Sequence, residues 1–283
     1  MQNRNIFYPG QEWLYLKLYC GYYSADHLIE KKIFPLMEKN IKDGLITKWF
    51  FIRYSDPDHH IRLRACFANP IDQLKLIQEI NLSLGDEIKH RIIWKTELST
   101  YIREVGRYPE IHYPLAEKWF FEESRMVSSI IRKVHNSNDE TLRWLSALKI
   151  SESLFNLFHL TTEQKRSFTS SYAKAFHKEL NITKSVCQQL AIQYRQHKSL
   201  IQQSMEESLD PDIDSAIELF INRISPYADK VIPEIMHLQD HIHMCCNRLF
   251  TSRQRTQEFV IYDYLTCYYT SKAYRNHDIT VYE

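Results

Sequence analysis

The chain is expected to fold as an α+β protein: a four-stranded antiparallel sheet in βαββαβ, ferredoxin-like order, followed by a mainly α-helical part. Three observations predict this. Between Trp13 and Arg103, aromatic- and leucine-rich segments alternate with segments that carry helix caps and breakers. Segment 60–67 alternates strictly, with Ile61, Leu63, Ala65 and Phe67 to one side and His60, Arg62, Arg64 and Cys66 to the other. From Pro114 onward, apolar residues recur every three or four positions in one segment after another. On this reading residues 1–113 form a sheet region and 114–283 a helical region packed on it, together one functional unit.

Taken in order, Trp13 to Cys20 (WLYLKLYC) reads as the first strand. Ser24 offers an N-cap to a helix over about 25–42, with Asp26 in its first turn and Gly44 as its stop. Pro35 predicts a kink or break after Phe34, since proline lacks the N–H a helix interior needs. Strands follow over 47–54 and 60–68, joined by a Ser-Asp-Pro-Asp turn. Asn69-Pro70 opens a second helix reaching about Lys89, and Ile92 to Arg103 holds a fourth extended segment. Helices are expected over 115–134, 139–158, 162–179, 182–204, 211–224, 233–250 and about 255–270, with a polar tail beyond. Along 233–250, Ile235, Leu238, Ile242, Cys245 and Leu249 form one apolar stripe, and His243 lies off it.

Bulk properties narrow the function. Hydrophobic residues make up 44% and charged residues 25%, as in ordinary globular proteins. Lys plus Arg (36) nearly cancels Asp plus Glu (35), so net charge gives no reason to expect direct binding of nucleic acid or of an anionic membrane. With five glycines, no GxxxxGK[ST] and no GxGxxG, the chain lacks the usual phosphate-cradling turns. No cofactor is expected. Six irregularly spaced cysteines do not read as a disulfide framework. The start, MQNRNIFYPGQEW, lacks a signal-peptide core, and no run approaches the ~20 apolar residues of a membrane span, so a cytoplasmic protein is expected.

Three constellations could carry chemistry. Arg62 and Arg64 share a strand face about 7 Å apart, where two guanidiniums repel unless an anion lies between or above them. Taken alone, the pair is better explained as the solvated face of an amphipathic strand. Tyr54, Asp56 and His60 sit nearby in the same hairpin. The second constellation is YIREVGRY, residues 101–108, where Glu104 and Arg107 could pair on a turn or serve a site. The third is HIHMCCNR, residues 241–248: His243 shares a helix face with Asp240 and Asn247, which could hold its ring. A metal reading is weak, because His241 and Cys245 fall on one side of the helix and His243 on another, and His59-His60 is no better. No GxSxG occurs. Any chemistry rests on Arg, His and Glu.

These segments carry a resemblance. FFIRYSDPDHHIRLR resembles the FiRY-DP--HlRlR signature of the C-terminal, elimination domain of lantibiotic dehydratases, the thiopeptide-type bacteriocin biosynthesis domain. YIREVGRY resembles that family's Y-RE--RYGG segment, and HMCCNRLF its HM--NRL segment. The resemblance spans essentially the whole chain. It implies a lyase that removes glutamate from O-glutamyl-Ser or -Thr of a ribosomal precursor peptide, leaving dehydroalanine or dehydrobutyrine. It further implies Arg62, Arg64, Arg107 and His243 as the eliminating set with Glu104 supporting it, and Arg53, Tyr54, His60, Asn247 and Arg248 as substrate-binding residues. The expected partners are the precursor peptide and a separate glutamyl-tRNA-dependent glutamylating protein, with the chain acting as a stand-alone module and a homodimer allowed. The alternatives are a pyridine-forming cyclase, which would not be expected to keep the Arg and His set, and a non-catalytic precursor-binding subunit. Two departures stand out. Tyr108-Pro109-Glu110 replaces the family's Gly-Gly after Arg-Tyr, so that turn should differ, and FFEES (120–124) is a loose version of the family pattern.

Overall fold

Alternation along Trp13–Cys20 and His60–Phe67 produces the two central strands of the sheet. In the computed structural model, which describes residues 4–108 and 110–280, the chain divides into two units. The first runs to Arg132 and resumes over Asn222–Ser252; the second comprises Lys133–Ile221 and the chain from Arg253.

In the first unit the strands are β1 (Ile6–Phe7), β2 (Trp13–Cys20), β3 (Ile46–Tyr54), β4 (His60–Phe67), β5 (Ile93–Leu98) and β6 (Tyr101–Ile102). Four form an antiparallel sheet of order β3-β4-β2-β5, the ferredoxin-like arrangement, while β1 and β6 pair separately. Expected strand 92–103 is therefore two elements, because Ser99 and Thr100 turn the chain out of the large sheet. The sheet's inner face carries Leu16, Leu18, Trp49, Phe51, Ile61 and Leu63, all buried. Met37 and Ile33 from one crossover, and Leu76 and Ile80 from the other, are buried too and complete this core. The outer face carries Tyr15, Lys17 and Tyr19 opposite Arg64, Arg62 and His60, with Phe50, Ile52 and Tyr54 on the other flank.

The crossovers are more broken than expected. The first contains α1 (Tyr22–His27), a π-helical segment over Leu28–Ile33, and α2 (Phe34–Lys42). Its N-cap is Gly21 rather than Ser24, and the break at Pro35 falls before Phe34, where the wide turn accommodates a residue without an N–H. Gly44 takes φ +72°, the left-handed stop its position requires. The second crossover begins at Asn69, whose side chain accepts the Ile71 N–H, and is interrupted at Leu84 between α3 (Gln73–Ser83) and α4 (Gly85–Lys89).

The helices that follow are α5 (Tyr113–Ser137), α6 (Thr141–Leu157), α7 (Thr162–Glu179), α8 (Lys184–Glu206), α9 (Pro211–Ile224), the short α10 (Ala228–Val231), α11 (Leu238–Leu249) and α12 (Gln254–Thr280). In the second unit α12 packs against α6, α7 and α8. There a buried Lys165 ammonium donates to Glu152, which also accepts the Tyr269 hydroxyl. α12 continues through the segment expected as a polar tail, because residues 271–280 contain no glycine or proline to stop it. Residues 281–283 lie outside the described residues, as does Pro109, on which the expected change of turn falls.

α11 and most of α5, as far as Arg132, belong to the unit that holds the sheet. β3 is an edge strand, and its open backbone needs partners. The Asn247 amide supplies two, accepting the Arg53 N–H and donating to the Arg53 carbonyl, each at 2.9 Å. The Arg248 guanidinium donates to the Phe51 carbonyl at 2.8 Å, and the Ser124 hydroxyl accepts the Phe51 N–H. The arrangement is checked by Asn247→Ala, which should lose about 1–3 kcal/mol in denaturant unfolding and speed hydrogen exchange at the Arg53 amide.

Candidate active site

The outer face of the sheet, the segment after β6 and α11 enclose a cavity of about 310 Å³. Of the ten residues singled out in the sequence, Tyr54, Arg62, Arg64, Glu104, Arg107, His243, Asn247 and Arg248 line it. Arg53 and His60 do not.

Arg64 forms the floor. It is only 8% exposed, with its guanidinium carbon 4.3 Å from the centre of the Tyr15 ring, 5.1 Å from Tyr101 and 5.2 Å from Phe50. Burial pushes its pKa below the usual arginine range, against the pull of Tyr15 and Tyr101. A guanidinium stays charged even so. Arg62, one pleat along, lies 3.4 Å over the Tyr54 ring and donates from Nε to His60 Nε2 at 3.0 Å. Among the described residues neither arginine has a carboxylate partner. Two buried or half-buried cations on aromatic faces, with no protein anion, make a site for an anion from outside.

The other arginines around the cavity are neutralised. Arg107 lies 3.6 Å from both Glu104 and Asp240. Glu104 is well exposed at the mouth, and its backbone N–H donates to the Tyr113 hydroxyl at 2.9 Å. Burial raises the Asp240 carboxyl above its ordinary range, opposed by Arg107, His237 and His243. Arg248 is fully buried, paired with Glu123 behind the cavity wall. His243, half-buried, projects from α11 one turn before Asn247, so the bonds that seal β3 also fix its height above the arginine strand.

Arg53 faces away from the cavity. It sits on the inner side of β3, 1% exposed, bonded to Asp26 and to the Arg248 carbonyl at 2.9 Å. Period-two alternation from Tyr54 already places it there. His60 is wholly buried between Tyr19 and Tyr54 and meets the cavity lining through Arg62 and Tyr54. A further group went unnoticed in the sequence. Glu117, fully buried in α5, accepts two bonds from Arg103 at 2.7 and 2.8 Å, one from Lys48 at 2.9 Å and one from the Tyr101 hydroxyl at 3.1 Å. It thereby fixes Tyr101, one wall of the Arg64 box. A lone Glu in an aromatic helix carried no signal of this role.

Among the described residues, no three His, Cys, Asp or Glu side chains converge as a metal site, and all six cysteines are unbridged. His241 is enclosed by Trp119, Tyr108 and Phe120 with ring centres 4.3, 5.3 and 6.2 Å away. No helix of the described residues is long and apolar enough to cross a membrane. The cavity can bind an anion, hold it by charge, and exchange a proton through His243 or Glu104.

Comparisons with known proteins identify the family and the fold. A family model described as lantibiotic biosynthesis dehydratase C-term matches residues 13–269. The subtilin biosynthesis protein SpaB of Bacillus subtilis is 26% identical over 272 residues, covering 89% of this chain and 25% of that protein. The nisin biosynthesis protein NisB of Lactococcus lactis subsp. lactis is 32% identical over 133 residues, covering 47% and 13%. The chain thus spans a quarter or less of these relatives. Two solved structures share the fold. One is the tRNA-dependent lantibiotic dehydratase MibB from Microbispora sp. 107891, with TM-score 0.74, 18% identity, and 94% of this chain and 29% of that one covered. The other is the pyridine synthase TbtD from thiomuracin biosynthesis, with TM-score 0.65, 12% identity, and 93% and 99% covered.

The aromatic cage around His241 predicts a pH dependence. Burial lowers this imidazole to about 3, while an unfolded histidine titrates near 6.5. Between these values the unfolded chain binds the extra proton, so the contribution is complete above about pH 6.5 and is lost as pH falls toward 3. Unfolding midpoints measured from pH 7 to pH 4 should fall, and His241→Phe should flatten part of that slope.

Proposed function

This chain belongs to the lantibiotic biosynthesis dehydratase C-terminal family, and from that premise we propose that it catalyses the elimination half of peptide dehydration. The substrate is an O-glutamyl-Ser or -Thr residue of a ribosomal precursor peptide, and the products are glutamate and dehydroalanine or dehydrobutyrine. One observation carries the reading: Arg62 and Arg64 stand side by side in the cavity without a protein carboxylate among the described residues, across from His243.

The reaction breaks the Cα–H and Cβ–O bonds. Electrons from the Cα–H bond form the new double bond, and the Cβ–O pair leaves on the glutamate carboxylate. Negative charge therefore grows first at the enolate and then on the leaving group. Arg62 and Arg64 grip a carboxylate through paired N–H donors, orienting the ester and stabilising the anion as it departs. Arg107, paired with Glu104 and Asp240 at the mouth, holds those two carboxylates away from the arginine pair. His243 and Glu104 are the groups suited to move a proton, whereas an arginine is a poor base. The ester itself must come from a glutamyl-tRNA-dependent activity outside the described residues, which makes that activity and the precursor peptide the partners of this reading.

A second reading, a pyridine-forming cyclase acting on dehydroalanines, draws on the 99% coverage of the pyridine synthase. Cycloaddition between neutral alkenes expels no carboxylate, and it leaves the arginine pair without a task. A non-catalytic precursor-binding subunit is the third possibility.

Mass spectrometry of a chemically prepared O-glutamyl-Ser peptide incubated with the protein separates them. Conversion to dehydroalanine is expected, falling about 10²-fold or more in Arg64→Ala and His243→Ala with peptide binding retained. Unchanged conversion in both variants would sink the elimination reading. Absence of conversion with a peptide the protein binds would favour the cyclase or the binding subunit.

A further inference from the structure

Arg62 is held from behind. His60 Nδ1 lies 2.8 Å from the Asp58 carbonyl. A carbonyl only accepts, so Nδ1 carries the proton. Nε2 is then a lone-pair acceptor, and it receives the Arg62 Nε–H at 3.0 Å. The His60 ring is closely packed: Tyr19 lies against it tilted by 32° with centres 4.6 Å apart, Tyr54 lies at 5.7 Å, and the residue is 0% exposed. Burial also keeps the ring neutral by lowering its pKa, helped by the Arg62 and Lys17 charges against the Asp58 carbonyl and Glu97.

Resting on the elimination reading, we infer that His60 is a positioning residue, a neutral acceptor that orients the Arg62 guanidinium for the leaving carboxylate. The bond to His60 occupies the Nε edge of Arg62, and the Tyr54 ring fixes its plane from one face. What remains for the substrate is the outer edge, the two Nη groups, which meets a carboxylate end-on. Arg64 differs, since its buried Nε has no hydrogen-bond partner among the described residues. The two guanidiniums of this strand are thus held differently, Arg64 by the aromatic faces around it and Arg62 by a hydrogen bond to His60 as well as by the Tyr54 ring.

The test uses the full chain carrying ¹⁵N-labelled arginine and histidine. His60→Leu should lower kcat/KM on the O-glutamyl-Ser peptide by about 10- to 100-fold, the cost of a hydrogen bond to a charged group. His60→Gln, whose side-chain oxygen falls near the Nε2 position, should recover most of the loss. In an Arg62→Ala background, His60→Leu should cost nothing further. Equal impairment of the Gln and Leu variants at equal folded fraction, or an undiminished cost without Arg62, would show that His60 acts through packing alone. The Arg62 Nε–H resonance gives a readout independent of turnover: it should exchange slowly with water in the parent protein and rapidly in His60→Leu. Unchanged exchange overturns the positioning role. Inactivity of the parent protein with the exchange difference intact overturns only the elimination reading.

Discussion

The structure depends on how the open edge of β3 is closed. An edge strand leaves a row of backbone donors and acceptors that must find partners. Here side chains of two helices supply them: the Asn247 amide imitates a passing strand at Arg53, while Arg248 and Ser124 serve Phe51. Because the seal is made by adjacent residues of α11, the helix has one position along β3. His243, one turn earlier, is held over the outer face by the same bonds. Stability at the sheet edge and alignment of the cavity are one piece of chemistry.

Around that seal, charge is distributed unevenly. The buried carboxylates already have cations of their own: Glu123 has Arg248, and Glu117 has Arg103 and Lys48. Removing one partner of such a buried pair is costly, so these carboxylates cannot turn toward the cavity. Arg62 and Arg64 are stabilised by aromatic faces and by His60 instead. Aromatic rings accept a cation without neutralising it, which leaves its charge available to a ligand.

Much of this was legible in the sequence. Strict alternation over 60–67 placed both arginines on one face, and β2 runs Trp13–Cys20 as the aromatic-leucine pattern indicates. Helices over 162–179 and 211–224 carry clear signals, a Thr161–Gln164 capping box and a proline at the first position. What could not be read is what distant segments decide. Glu117 meets Arg103 and Lys48 only once α5 lies against the sheet, and nothing local marks the carboxylate. The π-helical segment replaces a plain kink because the chain fits Pro35 by widening the preceding turn. Arg53 is a different case: its motif neighbours suggest a shared task, whereas the strand period sends it to the opposite side from Tyr54.

The arginine pair lies on β4, a strand with a neighbour on either flank. Its spacing is therefore a property of the backbone pleat, and no loop sets it. Length changes in surrounding turns can be absorbed outside the ladder, whereas a slip of one residue would exchange the arginines for Ile61 and Leu63 and bury charge where the core should be. Drift in this protein's loops and drift in the spacing of its arginine pair are thus decoupled: the first is easily absorbed, and the second cannot happen without losing the fold.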